Sequence, residues 1–539
     1  MENKDFKGTV VQSTKQDKSF LILFLVLLFL HALVILNIDY FPFADVPSHL
    51  AEGTIFRHYN ENTNSFKDFY LLNYFFYPNT FHLFFFSLPF FPDVEFANKI
   101  LHLLIVVSLP VLVLLIIKEI KGNKWFSIVA FILVYGYNLS YGFTGNAVAN
   151  NIILLILLLW LRTIDSKKNS VLRMLVISGL LFLVYFLHAM VALFCLLMMF
   201  SFIAYRYRKN FKSLFLQSLY LLPLGLMILY WWFFIQNSAQ ATTKFGTEDT
   251  STIGYLKNYY QSEFWRTYIN RGMFLLADNY QLFKGLLGYA TGLLLSFIIV
   301  VPFIVLIYKW AFKKEKFTTL KLYLKNEGKF VYVLVFLAVA SFCYFLLPNS
   351  IPGQAPLYTR FSTIVLLSLI FIGSKVPEMN NKTLSRIAGI LAFVHLVLWA
   401  QYFYQFNKEN QRFAEVLPDD NTKILSYMNF DSDFRGRAMY DHFQNYFIVK
   451  KKGPSTSMII DYRFGMIRRK EGEKLPHQEH FYYLQADPRE ITQKSDYILV
   501  RGKIPDHYQK ILDSLNTFVM IKNVDNWHLL KKKEIKTGL

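Results

Sequence analysis

A short stretch after the first apolar run carries several side chains that could do acid-base chemistry. It reads Asp39-Tyr-Phe-Pro-Phe-Ala-Asp-Val-Pro-Ser-His-Leu-Ala-Glu52. His49 and Glu52 follow Asp45 by four and seven residues, so a helix beginning near Asp45 would place all three on one face. In this setting a carboxylate can act as a general base. The structural alternative is an aspartate that caps the first turn of an interfacial helix, with Pro47 inside that turn.

A metal ion is a further interpretation of the same segment. Asp45, His49 and Glu52 could form part of a Mg or Mn site, but hard cations prefer more oxygen ligands than the segment offers. We therefore expect His49 to orient the Asp45 carboxylate, assign no residue as a metal ligand, and leave dependence on a divalent metal open. Arg57, just downstream, adds a positive charge to this titratable segment.

The elements around this segment are predicted to be membrane spans. Of the 539 residues, 54% are hydrophobic and 18% aromatic, and the apolar runs approach the roughly 20 residues that a bilayer core demands of a helix. This composition predicts an α-helical polytopic membrane protein with about 11–13 transmembrane helices and excludes a soluble protein. The predicted spans are 20–38, 95–117, 125–140, 143–161, 171–187, 189–205, 213–235, 283–308, 330–347, 361–374 and 384–405. The run 81–91 could be a half-helix, an interfacial helix or another crossing.

The net charge of +20 mainly indicates how the chain is oriented in the membrane, and it is weak evidence for an anionic binding partner. The excess comes from 57 Lys and Arg against 37 Asp and Glu, and it is concentrated in short basic loops on alternate connections. That distribution is what the positive-inside rule predicts for cytoplasmic loops. It places the N-terminus inside and the C-terminus outside a bacterial cytoplasmic membrane, and it makes nucleic acid an improbable partner. The two cysteines fall inside apolar runs and exclude a disulfide framework.

The chain is predicted to have three parts. Residues 1–19 form a cytoplasmic tail, residues 20–406 the transmembrane module, and residues 407–539 an extracytoplasmic α/β domain with strand-like runs at 422–427, 446–449, 496–500 and 518–521 and a helical pattern at 508–515. Titratable pairs occur in that domain at Asp441–His442 and at Asp461 with Arg463, without a specific catalytic spacing. The domain could cover the mouth of an active site, choose an acceptor, or serve stability and assembly.

Several motifs together resemble the GT-C superfamily of membrane glycosyltransferases, and its bacterial members most of all. An outward loop with an Asp-x-Pro-x-His-Leu context follows the first transmembrane helix, and a Tyr-Pro-Asn segment (77–79) opens a short apolar helix. Further matches are 142–146 at the start of a span, His188 between two spans, and Arg360–Phe361 at the start of a late span. The resemblance covers roughly residues 20–406. The Asp-Glu pairs of protein O-mannosyltransferases and the paired acids of oligosaccharyltransferases are absent, since Val46 follows Asp45.

The resemblance implies an inverting hexosyl or pentosyl transferase. It would move a sugar from a polyprenyl-phosphate donor, monophosphate or diphosphate, to a glycan, lipid or protein acceptor on the outer face, among membrane lipids. Asp45 would be the catalytic base with His49 beside it. Substrate-binding candidates are Glu52, Arg57, Asn146, His188, Tyr358 and Arg360. A leaving phosphate needs cations, and Arg360 at the start of a span is the first candidate, with Lys244, Arg266, Arg271 and Lys284 behind it.

Other interpretations stay open for the polar residues inside the spans and for the whole chain. His82, His102, His188, Asn146, Asn150 and Asn151 could line a cavity or join helices by hydrogen bonds. A lipid or glycan transporter is the rival function, although no repeated halves with interrupted helices are visible in the sequence. A non-catalytic protein of envelope polysaccharide assembly is a third possibility.

Overall fold

The computed structural model describes most of the chain. The described residues are 3–73, 76–165, 170–236, 264–280, 286–312, 328–349, 356–376, 382–456, 458, 460, 465–470 and 488–533.

Helices dominate the described residues. The α-helices, numbered along the chain, are α1 Asn3–Leu36, α2 Val46–His58, α3 Phe66–Phe69, α4 Phe81–Phe86, α5 Val94–Glu119, α6 Tyr137–Ser140, α7 Thr144–Asp165, α8 Ser170–Leu187, α9 Ala189–Tyr207, α10 Phe211–Ser218, α11 Leu222–Tyr230, α12 Phe264–Leu276, α13 Leu286–Phe312, α14 Phe330–Leu346, α15 Ser362–Gly373, α16 Lys382–Asn410, α17 Phe413–Val416, α18 Tyr446–Lys451, α19 Pro488–Lys494 and α20 Asp506–Leu515. Short 3₁₀ helices lie at Lys124–Leu133, Leu219–Leu221, Asp278–Tyr280, Tyr358–Phe361 and Phe443–Asn445, and a π-helix at Trp231–Gln236.

Apolar helices of membrane-spanning length confirm the predicted fold class. Within the described residues, six helical stretches are long and apolar enough to cross a bilayer: Lys18–Leu36, Val94–Glu119, Thr144–Ile164, Ala189–Tyr207, Phe211–Phe234 and Arg386–Val416. Shorter apolar helices are Val171–Leu187, Ala290–Val305, Phe330–Leu346 and Tyr358–Gly373. The chain is therefore a multi-pass α-helical membrane protein with a small sheet region toward its C-terminus.

The predicted span at 125–140 takes a different form from the one expected. The chain makes a 3₁₀ helix at Lys124–Leu133 and then the four-residue helix α6. Residues 126–135 are all buried, because α5, α15 and α16 pack around this segment. A continuous apolar run indicates burial but not the type of helix, so the prediction of a regular α-helical crossing was wrong.

The unassigned run at 81–91 contains only a short helix. Six residues of α4 rise about 9 Å, well short of the roughly 30 Å of a bilayer core. This helix packs against α2, where a Cβ on Gly53 would lie 2.8 Å from Cδ2 of Phe86. The run therefore does not cross the membrane as a helix.

The described residues form three small sheets, two within the C-terminal part and one that joins it to residues 70–72. The strands are β1 Tyr70–Leu72, β2 Leu425–Asn429, β3 Asp433–Phe434, β4 Arg437–Ala438, β5 Ile467–Arg469, β6 Tyr497–Arg501, β7 Phe518–Val524 and β8 Trp527–Lys532. The main sheet has the order β2-β6-β8-β7, with β2 parallel to β6 and the other neighbours antiparallel. Helices α19 and α20 accompany it. This arrangement agrees with the predicted α/β character.

One predicted strand of this part is a helix. The run 446–449 was expected to be extended, whereas it forms most of α18, which ends at the left-handed residue Lys452. Four apolar residues without flanking turn signals fit a buried helix face as well as a strand. The burial of Tyr446, Phe447 and Ile448 on one short helix accounts for the pattern.

The C-terminal part packs directly on the membrane helices. The largest apolar cluster of the described residues includes side chains from Phe20 to Leu529, and two smaller clusters lie beside it. Tyr40, after the first span, contacts Phe443 and Tyr446 with ring centroids 5.7 and 5.1 Å apart. Strand β1, in the loop after the first span, pairs antiparallel with β5, and α16 runs through the predicted boundary at residue 406 to Asn410. The exact domain boundaries stay a prediction.

Candidate functional site

Asp45 lies at the N-terminal end of α2, where backbone contacts hold it against a second segment. The N–H of Ala44 donates to Ser140 O at 3.2 Å and the N–H of Asp45 donates to Tyr141 O at 3.3 Å. Asp45 occupies the N-cap position with φ −86° and ψ −12°, and its side chain makes no capping hydrogen bond. The predicted capping role is therefore wrong. The carboxylate, 21% exposed, is instead directed to other partners.

Gly142 allows the close approach of these two segments. Its φ of +95° lies in a region that other residues rarely adopt. A Cβ at this position would lie 2.5 Å from the backbone nitrogen of Asp45 and 2.7 Å from its Cβ. The position of Asp45 thus depends on a glycine in the turn between α6 and α7.

A histidine of the C-terminal part faces the Asp45 carboxylate. His442 Nε2 lies 3.8 Å from Asp45 Oδ1, and the His442 side chain is 7% exposed. The next residues continue into the 3₁₀ helix Phe443–Asn445, where Asn445 Nδ2 donates to Ser48 Oγ on α2 at 2.9 Å. This second contact fixes the approach of His442 to α2. The C-terminal part therefore supplies a titratable side chain beside Asp45.

His49 and Glu52 belong to a buried cluster with His82 of α4. The ligand atoms of these three side chains all lie within 4.8 Å of one another. His82 Nε2 is 3.5 Å from Glu52 Oε2, and the rings of His49 and His82 have centroids 4.4 Å apart. Asp45, which the alternative metal interpretation of the sequence grouped with His49 and Glu52, is not a member of this cluster. Two imidazoles and one carboxylate suit Zn or Mn better than Mg and leave a coordination position open.

Arg360 is brought next to the turn that contacts Asp45. Its guanidinium lies 4.0 Å from the centre of the Phe143 ring, and its Nε donates to Pro356 O at 3.0 Å. Asn146 Nδ2 reaches the Arg360 carbonyl at 3.4 Å. Asn146 and Arg360 therefore meet beside Gly142, which in turn contacts Asp45. The structure places these predicted residues in one region.

Tyr358 and Arg271 form a separate contact at the end of α14. The Arg271 guanidinium donates to the carbonyls of Tyr344, Phe345 and Leu347 at 2.8, 2.7 and 2.6 Å. It also lies 4.5 Å from the centre of the Tyr358 ring. A cation on the last carbonyls of a helix satisfies groups that have no intrahelical partner. This contact gives Arg271 a structural role, with Tyr358 stacked against it.

The remaining predicted residues have varied positions. Arg57 donates to the carbonyls of Phe91 and Pro92 at 2.8 and 3.3 Å, which braces the chain after α4. His188 is buried and begins α9 with an extended backbone. His102 contacts the Asn98 carbonyl one helical turn earlier. Lys244, Lys284, Asp461 and Arg463 lie outside the described residues, as does the side chain of Arg266.

Two side chains of the region, His442 and Arg437, were not assigned from the sequence. His442 was visible as part of a titratable pair, but nothing in the sequence indicates that this pair meets Asp45. Its neighbour Asp441 is partly buried, and this burial together with the negative charge of Asp433 raises the pKa of the Asp441 carboxyl to about 6. Arg437 donates to Ser140 Oγ. No local pattern in the sequence signals that contact, because the two residues are almost 300 positions apart.

Comparisons with known proteins bear on the fold only. No protein-family model and no curated protein matches the chain. Among solved structures, the crystal structure of ArnT from Cupriavidus metallidurans in the apo state aligns with 96% of this chain and 98% of its own, at 11% sequence identity and a TM-score of 0.44. At this identity and score the match describes an overall likeness and assigns no function.

Proposed function

We propose that this membrane protein is an inverting glycosyltransferase of the GT-C type, with Asp45 as its general base. The donor is a hexose or pentose on a polyprenyl phosphate within the membrane. The acceptor is a hydroxyl of a glycan, lipid or protein on the outer face, where the C-terminal part lies. The orientation follows from the basic loops of the sequence.

The observation that carries the proposal is the surroundings of Asp45. A partly exposed carboxylate lies beside His442, at the junction of the first outer loop and the C-terminal part. Arg360 is close by, on the other side of the Gly142–Phe143 turn. A base, a histidine that can orient it and a cation for an anionic leaving group are the side chains this reaction needs.

The reaction balances with these groups alone. Asp45 takes the proton from the acceptor hydroxyl as its oxygen attacks the anomeric carbon. The bond between that carbon and the phosphate oxygen breaks, and the polyprenyl phosphate leaves with the electron pair. One displacement inverts the configuration at the sugar carbon. A phosphate leaving group needs no strong acid, so one carboxylate is sufficient.

The test compares two aspartates of the same loop. Asp45→Asn, reconstituted in vesicles with labelled polyprenyl-phosphate hexoses and pentoses, is expected to lose transfer by about 10²–10⁴-fold, the range of general base catalysis. Asp39→Asn is the matched control, because the Asp39 side chain is 84% exposed and forms an ion pair with Lys99 at 3.0 Å. Transfer by purified Asp45→Asn at the wild-type rate would remove Asp45 from the mechanism.

We further propose that His49, Glu52 and His82 hold a divalent cation. The three buried side chains offer one ligand atom each within 4.8 Å, and a bound cation would neutralise Glu52. Purified protein dialysed against ZnCl₂ or MnCl₂ should retain about one ion per chain, measured by mass spectrometry. His82→Gln should lose it, whereas His102→Gln, which alters a buried histidine elsewhere, should not. Equal metal content in all three proteins would contradict the site.

A further inference from the structure

The hairpin β3–β4 of the C-terminal part has a defined geometry. Phe434 pairs with Arg437, so only Arg435 and Gly436 form the turn. Their φ values are +52° and +79°, as in the type I′ turn that matches the twist of antiparallel strands. The two arginines of this hairpin therefore differ in position. Arg435 is exposed at the turn, while Arg437 follows on the strand that faces the membrane helices.

Aromatic packing fixes this hairpin on α16. The Phe434 ring contacts Tyr402 and Phe406 at centroid distances of 5.0 and 5.1 Å. Just beyond the hairpin, Tyr440 donates its hydroxyl to Glu409 Oε1 at 2.8 Å. Arg437 thus extends from a backbone that is held on both sides, which limits where its guanidinium can lie.

Arg437 is a partly buried cation that forms no ion pair with a carboxylate in the described part of the chain. It donates to Ser140 Oγ, and burial lowers the pKa of its guanidinium below the usual value. Among the described residues no carboxylate forms an ion pair with Arg437, and Asp278 acts on it only from a greater distance. Even partial burial makes a charge costly unless a partner compensates it. The chemistry that would compensate a guanidinium here is an anion, and a phosphoryl group fits its fork of donors.

The position of Arg437 links it to Asp45. Ser140, which accepts from Arg437, also accepts the backbone N–H of Ala44, the residue before Asp45. Arg437 and Arg360 are both within electrostatic range of the Tyr137 hydroxyl, so the two guanidinium groups converge on one region. The same chain segment then delivers His442 to the Asp45 carboxylate.

We propose that Arg437 binds a phosphoryl group of the substrate and that the C-terminal part thereby completes the active site. The inference rests on the proposed glycosyl transfer. In that reaction the phosphate gains one negative charge when its bond to the anomeric carbon breaks, and Arg437 stabilises this charge together with Arg360. The electron pair stays on the phosphate oxygen and the acceptor proton stays on Asp45, so no further reactant is needed. A phosphate carried by the acceptor would offer Arg437 the same chemistry.

The experiment measures binding of polyprenyl monophosphate, without a sugar, to the purified full chain in detergent. Arg437→Gln should weaken this binding at least tenfold, because a charge-assisted contact is lost. Arg435→Gln, which removes the same charge from the same hairpin, should change it less than twofold. Ser140→Ala tests whether Arg437 acts only by holding the hairpin against α6 through its hydrogen bond to Ser140. If Arg437 contacts the ligand, Ser140→Ala should bind polyprenyl phosphate like the wild type. If Arg437 only holds the hairpin, Ser140→Ala should lose as much affinity as Arg437→Gln.

The outcomes separate this inference from the proposed function. Wild-type protein that does not bind polyprenyl phosphate saturably contradicts the donor and the inference with it. If Arg437→Gln binds polyprenyl phosphate as tightly as the wild type does, Arg437 does not bind the phosphate of the lipid donor, and the proposed function is unaffected. The KM for a phosphate-bearing acceptor then decides the inference. A raised KM in Arg437→Gln assigns Arg437 to the acceptor phosphate, whereas an unchanged KM overturns the proposed site. If Arg437→Gln does not fold, Arg437→Lys must fold and must bind polyprenyl phosphate more weakly than the wild type, but by less than tenfold, for the proposal to stand.

Discussion

Replacing Gly142 by alanine is expected to disable the site without touching an ionisable group. The new Cβ would lie 2.5 Å from the Asp45 nitrogen and 2.7 Å from the Asp45 Cβ. These atoms belong to backbone and to a side-chain root, so neither can rotate away. Relief requires the segment 43–46 to move away from 140–142, which breaks the two hydrogen bonds between them.

The magnitude of the change follows from two sources of strain. A residue with a Cβ at a φ of +95° loses about 1–2 kcal/mol relative to glycine. Forcing a methyl group into a packed contact costs about 1–3 kcal/mol more. The free energy of unfolding should therefore fall by roughly 2–5 kcal/mol. A displacement of Asp45 by about 1 Å should reduce transfer on the order of 10²-fold.

The assay pairs thermal unfolding in detergent with the rate of transfer in vesicles. Gly179→Ala is the control, because a Cβ at Gly179 in α8 meets nothing within 4 Å among the described residues. That variant should keep wild-type transfer and stability. Gly142→Ala with unchanged unfolding temperature and unchanged transfer would refute both the close approach and the placement of Asp45.

Three further predictions concern the C-terminal part. The folded-state pKa of the Asp441 carboxyl is raised to about 6. The stability that the protonated carboxyl contributes is therefore present at low pH and is lost as the pH rises through about 6. Asp441→Asn should unfold at a higher temperature than the wild type at pH 8 and lose that advantage near pH 4. Arg501→Leu should lower the unfolding free energy by about 3 kcal/mol, because the buried Arg501 loses its contacts with the Tyr440 and Trp527 rings as well as its ion pairs. Glu409→Gln should cost less than half as much, since Glu409 is 37% exposed and Asp431 still pairs with Arg501. Tryptophan fluorescence during thermal unfolding measures both, and equal losses contradict the asymmetry. With the two native cysteines buried, Ser514→Cys should react with an impermeant thiol reagent in intact cells and Lys209→Cys only after permeabilisation, and the reverse pattern would invert the proposed topology.

The sequence predicted the elements that depend on local apolar length. Runs of about 20 apolar residues correspond to α5, α7 and α9, because a long apolar helix is the only element such a run can form in a membrane. The same signal failed at 125–140, where the chain is enclosed by other helices on all sides and adopts 3₁₀ geometry. It failed again at α18, where four apolar residues carry too little periodicity to separate a strand from a helix.

The sequence predicted contacts of the candidate site only between residues that are close together in the chain. The spacing of His49 and Glu52 on α2 anticipated that they share a face, and the structure places both in one cluster. The third member of the cluster, His82, lies on the short helix α4 beyond a long loop, and no local pattern orients that helix. His442 and Arg437 reach the region through the packing of the C-terminal part on α16 and α2, which depends on contacts across almost the whole chain.

The contact between Asn445 and Ser48 has a consequence for how the protein is made. These residues are 397 positions apart, and β1 likewise must wait for β5. At about 5–20 residues per second, synthesis would take roughly 20–80 s to cover that distance. During this interval α2, with Asp45 before it and Glu52 within it, lacks the C-terminal part that packs against it. A chain truncated before residue 440 would thus insert its first helices and still never assemble the surroundings of Asp45.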